Sequence, residues 1–223
     1  MFLKILGFEF RYQFKNPVFW VGAIVFFLLA FGLASTPFVQ LGSGANVHKN
    51  SPLAIVTANG AFVLFYMFIT AAFVSNVITR DDETGYGPIL RTSRLTKFDY
   101  LYGRFTGAFL AAALAYLSIT LGLLIGSMMP WVDKETLGPF VFDHYWRAYL
   151  IWGVPDVFIT SALLFMLSTV TRSMAWTYVG VVALFIGQAA LGAVLRKPGM
   201  EQIAAVWEPF GGAAFRQATQ YWT

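Results

Sequence analysis

The sequence predicts an all-α, polytopic membrane protein with five transmembrane helices, an N-terminal interfacial helix and short C-terminal re-entrant helices. Three observations carry that prediction. Of the 223 residues, 58% are apolar and 12% are charged, whereas a soluble domain carries about 25% charged residues. Uncharged residues run unbroken through 16–47, 50–79, 105–132 and 173–195. Each run outlasts the roughly 20 residues that a helix needs to cross about 30 Å of hydrocarbon. A fifth run, 148–171, is interrupted only by Asp156. This pattern excludes a soluble enzyme and a disordered regulator.

Taken in order, residues 1–16 read as an interfacial helix. At 100° per residue Lys4, Arg11 and Lys15 fall within about 40° of one another, with Phe2, Leu6, Phe10 and Phe14 mainly opposite. Phe8 on the basic side and Glu9 on the apolar side interrupt the pattern. Such a helix lies in the headgroup plane and is attracted to anionic membrane lipids. Asn16 followed by Pro17 then reads as an N-cap with proline at the first helical position. The membrane domain extends over 17–196, with spans at 17–38, 60–79, 97–129, 145–171 and 174–195. Thr96-x-x-Asp99 reads as a capping box for the third span, and Asp143 as a cap for the fourth. The tail, 197–223, holds two short apolar pieces, 203–207 and 213–215, among Pro198, Pro209, Gly211 and Gly212. It reads as short helices at the outer face.

Orientation follows from Lys and Arg in the connecting segments, counted without subtracting acids. With the N-terminus inside, the cytoplasmic side holds nine (Lys4, Arg11, Lys15, Arg80, Arg91, Arg94, Lys97, Arg104, Arg172), and the other side six (Lys49, Lys134, Arg147, Arg196, Lys197, Arg216). The first span and the largest basic cluster agree, which predicts a cytoplasmic N-terminus and an outer C-terminus. The net charge of +4 therefore reflects topology, and no nucleic-acid partner is expected.

The sequence narrows the chemistry chiefly by what it lacks. It has no cysteine, and its two histidines, His48 and His144, form no H-E-x-x-H pair; a G-x-x-x-x-G-K-[ST] phosphate loop is also missing. No catalytic, metal-ligating or cofactor-binding residue is predicted. The most informative segment is the loop 80–104. There Asp81, Asp82 and Glu83 suit a helix N-terminus, Gly85, Gly87 and Pro88 impose a bend, and Ile89 and Leu90 precede Arg91, Arg94 and Lys97. A solvated anchor has no need of an apolar pair between a bend and a basic rim, so the combination suits docking into a partner's groove. Asp156, behind Pro155, is the one ionisable residue read as deep within a span. It is either a proton relay or substrate contact, or a carboxyl satisfied locally beside the carbonyl that Pro155 frees. Asn76 and Gln188 read as interhelical hydrogen-bonding residues, and the small residues Gly107, Ala108, Ala111, Ala112, Ala113 and Ala115 as close helix packing.

The order of these parts resembles an ABC-2 type permease half. The stretches that carry the resemblance are FEFRYQFKNPVFW (8–20), GSGANVHKNSP (42–52), VITRDDETGYGPILRTSRLTKFDYLYGRFTGAF (77–109) and WEPFGGAAFRQATQYWT (207–223). Together they are similar to the first membrane segment of bacterial permeases whose long form is fused to a gluzincin-type zinc aminopeptidase domain. The resemblance implies an exporter in the bacterial cytoplasmic (inner) membrane, working with a second permease half or as a homodimer. A separate ATP-binding subunit would hold ATP and Mg, and this chain no cofactor. Glu83, Gly85, Ile89, Leu90, Arg91 and Arg94 would form the coupling helix that docks on that subunit. The tail would match outer re-entrant elements that precede a sixth span; that span and the peptidase domain are missing from this sequence, which predicts a partial chain. Two other readings stand on the residues themselves: a membrane anchor or scaffold for an associated peptidase or other partner, and a proton-coupled carrier using Asp156.

Overall fold

Asn16 divides the first two helices as its position before proline requires. Its side-chain Oδ1 accepts the Val18 N–H at 3.0 Å, satisfying one of the free donors at the start of the next helix. The computed structural model describes residues 1–36, 47–85, 95–195, 208 and 210–219. Among these residues there are seven helices and no strand: α1 (Phe2–Lys15), α2 (Pro17–Ser35), α3 (Pro52–Glu83), α4 (Lys97–Ser127), α5 (Phe142–Thr171), α6 (Met174–Leu195) and α7 (Gly212–Thr219). The helices α2 to α6 are long and apolar enough to cross a membrane, so the chain is an all-α, multi-pass membrane protein.

Several boundaries differ from the sequence reading. The helix α3 begins eight residues before the predicted 60, because Ser51 caps it through Oγ to the Ala54 N–H at 3.2 Å and Pro52 occupies the first helical position. It also runs to Glu83, so Asp81, Asp82 and Glu83 end a helix and do not begin one. Acids at that end oppose the helix dipole by only about 0.3–1 kcal/mol each, too little to stop a long apolar helix. The helix stops where Gly85 takes φ +71°, the left-handed conformation that glycine adopts without penalty. Thr96 caps α4 as predicted, its Oγ1 accepting the Asp99 N–H at 3.1 Å.

Asp143 does not cap the fourth span. The N-cap of α5 is Val141, which has no side-chain cap, and Asp143 instead pairs with Arg147 Nε one turn on, at 2.5 Å. Within α5 the residues Ala148–Gly153 form a π turn. This wider turn sits just ahead of Pro155, which has no N–H to donate to the preceding turn. In the tail, α7 covers the predicted piece 213–215, while 203–207 lies outside the described residues.

The chain divides into two compact units, and the division cuts every span. The first unit comprises Met1–Val25, Phe65–Leu117 and Val157–Val181. Its core is aromatic: the Tyr66 hydroxyl donates to the Ala112 carbonyl at 2.7 Å, and the Tyr66 and Tyr116 rings meet edge to face at 5.1 Å. Phe158 packs edge-on against Phe105 and Phe109. The expected small-residue packing of α4 is found here, with Ala108, Ala111, Ala112, Ala113 and Ala115 all buried.

The second unit comprises Phe26–Leu64, Ser118–Asp156 and Val182–Thr223. Gly122 and Gly126 let α2 approach α4 closely; a Cβ on Gly122 would lie 2.5 Å from the Phe27 carbonyl oxygen, and one on Gly126 2.7 Å from that of Phe31. Asn50 fastens the segment before α5, donating from Nδ2 to the Gly138 carbonyl and accepting the Gly138 N–H at Oδ1, both at 2.8 Å. Ser127 and Tyr145 join their hydroxyls at 2.8 Å.

Candidate functional site

A membrane-surface helix is expected to bury its apolar residues and expose its polar ones. In α1 the basic residues Lys4, Arg11 and Lys15 are indeed exposed. Its two buried residues, however, are Glu9 and Gln13, both 0% exposed, whereas Leu3, Phe8, Tyr12 and Phe14 remain open. Their spacing of four places Glu9 and Gln13 on one face, one turn apart.

Glu9 is the centre of an ion cluster. Its Oε2 accepts Arg80 Nη2 at 2.8 Å and also Arg104 Nη1, and its Oε1 accepts Gln13 Nε2 at 3.0 Å. Gln13 Nε2 also donates to the Phe73 carbonyl at 3.1 Å, which ties α1 to the middle of α3. Arg80 comes from the last turn of α3 and Arg104 from the second turn of α4, so one carboxylate joins three helices.

Two glycines on α4 make the approach possible. A Cβ on Gly107 would lie 2.7 Å from the Glu9 Cβ, and one on Gly103 would lie 3.0 Å from the Ile5 Cβ. The spacing Gly103-x-x-x-Gly107 thus clears a strip on which the backbone of α1 rests, with Arg104 beside it. Aromatic rings support the guanidiniums: the Arg80 Cζ stands 3.8 Å from the Tyr12 ring centroid and 5.8 Å from that of Phe8, and the Arg104 Cζ is 5.7 Å from Phe8 and 5.5 Å from Tyr100. At these distances a cation is attracted to the ring face.

Burying a carboxylate alone costs several kcal/mol. Here the charge-assisted bonds offset that cost only while all the partners stay in place. Next to the cluster is a cavity of about 560 Å³ lined by Lys4, Ile5, Phe8, Tyr12, Arg80 and Tyr100 among others.

The residues singled out from sequence fall elsewhere. Glu83 is the last residue of α3 and Gly85 follows it; Ile89, Leu90, Arg91 and Arg94 lie outside the described residues. Asp156 is 4% exposed, three residues after the π turn, and its Oδ2 has no hydrogen-bond partner among the described residues. Asn76 is half-buried in the first unit, and its Oδ1 has no hydrogen-bond partner among the described residues. Gln188 donates from Nε2 to Glu208 Oε1 at 3.0 Å, a residue outside the spans. Among the described residues no group of three or more His, Asp or Glu side chains is placed to hold a metal ion.

Sequence reasoning counted Arg80 and Arg104 only as cytoplasmic-side charges and treated Glu9 as a flaw in an amphipathic pattern. The signal that finds the cluster is that flaw together with Gln13 four residues on, both opposite the basic stripe. No protein-family model matches the chain, and no curated protein is significantly similar to it.

Proposed function

We propose that the chain is the membrane-embedded permease of an ATP-driven transporter of the ABC-2 type, working as an exporter. In this reading a separate ATP-binding subunit holds ATP and Mg and performs the hydrolysis, and the 80–104 segment of this chain docks on it. The N-terminus is cytoplasmic, in keeping with the excess of Lys and Arg on that side, and a second permease half or a second copy completes the path.

The observation that supports this reading is the Glu9 cluster. Arg80 and Arg104 bound the segment assigned to docking, and both are held by the same buried carboxylate of α1. A push on the segment therefore reaches α1, α3 and α4 together, as rigid-body motion requires. The test is native co-purification of the tagged chain with its ATP-binding subunit, comparing wild type with Leu90→Asp/Arg91→Glu. The expected result is a subunit retained by wild type and lost from a folded double variant. Retention by both would remove the docking role of the segment, and no ATP-binding subunit with either would favour an anchor or scaffold for another partner.

A second reading, a proton-coupled carrier, is favoured by the buried and partly unpartnered carboxylate of Asp156. Transport that needs no ATP and stops in Asp156→Asn would replace the first reading with this one.

A further inference from the structure

The cavity beside the ion cluster has a chemistry that the cluster does not use. Of the residues described around it, Lys4, Arg80 and Arg104 are cationic and none is acidic. Glu9, the acid of the adjoining cluster, has both oxygens engaged. Arg80 gives Nη2 to Glu9, while its Nη1 is buried and has no hydrogen-bond partner among the described residues. A buried guanidinium nitrogen left without an acceptor costs free energy that an anion recovers. Apart from Thr84, the side chains of the rest of the wall are apolar or aromatic, from Ile5, Phe8 and Tyr12 to Leu95. The volume, about 560 Å³, falls within the usual range of small-molecule sites.

We propose that this cavity binds a phosphate-bearing anionic amphiphile, with the phosphate on Arg80 and Lys4 and the apolar part along Ile5, Phe8 and Tyr12. Arg80 suits this role because its planar fork can keep one nitrogen on Glu9 and turn the other to a phosphate oxygen. The site differs from a general attraction of the basic face of α1 to anionic lipid, because Arg11 and Lys15 lie on that face but do not line the cavity. The proposal does not depend on the ATP-binding partner, so either can fail without the other.

The experiment is native mass spectrometry of the full chain in mild detergent, titrated separately with dioleoyl phosphatidylglycerol, dioleoyl phosphatidylcholine and glycerol 1-phosphate. Wild type is expected to retain one phosphatidylglycerol and to prefer it over phosphatidylcholine. Lys4→Gln is expected to weaken retention about tenfold, the size of one charge-assisted contact, and Lys15→Gln to leave it unchanged. Arg80→Gln should abolish it; since that change also breaks the ion cluster, the Lys4 and Lys15 pair carries the test. Retention of glycerol 1-phosphate in preference to phosphatidylglycerol would identify a soluble phosphate ester as the ligand and would overturn the assignment of an amphiphile. Equal losses in Lys4→Gln and Lys15→Gln, or no stoichiometric adduct with either probe, would overturn it.

Discussion

Two carboxylates are buried in this protein under different terms. Glu9, in the first unit, is fully enclosed and has guanidinium or amide partners on both oxygens; Asp156, in the second, is nearly as enclosed, and one of its oxygens has no described partner. The first arrangement is mechanical, because a charge with both oxygens engaged holds its neighbours and exchanges little. The second leaves chemistry available, since an open carboxylate oxygen can take up a proton or a polar ligand at little structural cost. Burial alone therefore does not mark a functional acid in a membrane. The partners decide.

The strongest way to break that contrast is Glu9→Gln, which leaves two guanidiniums without their shared counter-charge. A loss of about 3–5 kcal/mol in stability is expected, read as a large fall in the unfolding midpoint in mild detergent; a midpoint within error of wild type would show that the cluster holds nothing together. Gly107→Ala tests the same contact through space and not charge. Its Cβ would sit 2.7 Å from that of Glu9, and the expected cost of forcing α1 off α4 is about 1–3 kcal/mol. An unaltered midpoint would mean that α1 can shift freely. The smallest effect belongs to Asp156→Asn, expected to change stability by less than about 1 kcal/mol because no complete set of bonds is broken. A loss as large as that of Glu9→Gln would erase the distinction between the two acids.

The spans were legible because each uncharged run is long enough to cross a membrane, a signal that survives errors of several residues at either end. The caps at Asn16 and Thr96 were legible for a similar reason, since each acts on N–H groups only two or three residues away. The Glu9 cluster was not, because its members are 71 and 95 positions apart and no local pattern joins them. The basic-side count assigns each Arg only to a side of the membrane, so it carries no sign that Arg80 and Arg104 bond to Glu9. The end of α3 was misplaced by a local rule as well: acids do favour helix starts, but continued backbone hydrogen bonding into a glycine stop outweighs that preference.

The shared carboxylate also has a consequence in time. Arg104 enters the chain 95 residues after Glu9, which at about 5–20 residues per second is a wait of roughly 5–20 s. During that interval Glu9 lacks its full set of partners, with Gln13 beside it and Arg80 arriving 71 residues on. The seat of α1 is completed only as the beginning of α4 emerges with Gly103, Arg104 and Gly107 in a single turn and a half. That seat thus waits for the start of α4, and the first unit is still incomplete at that point, because Val157–Val181 follows later in the chain.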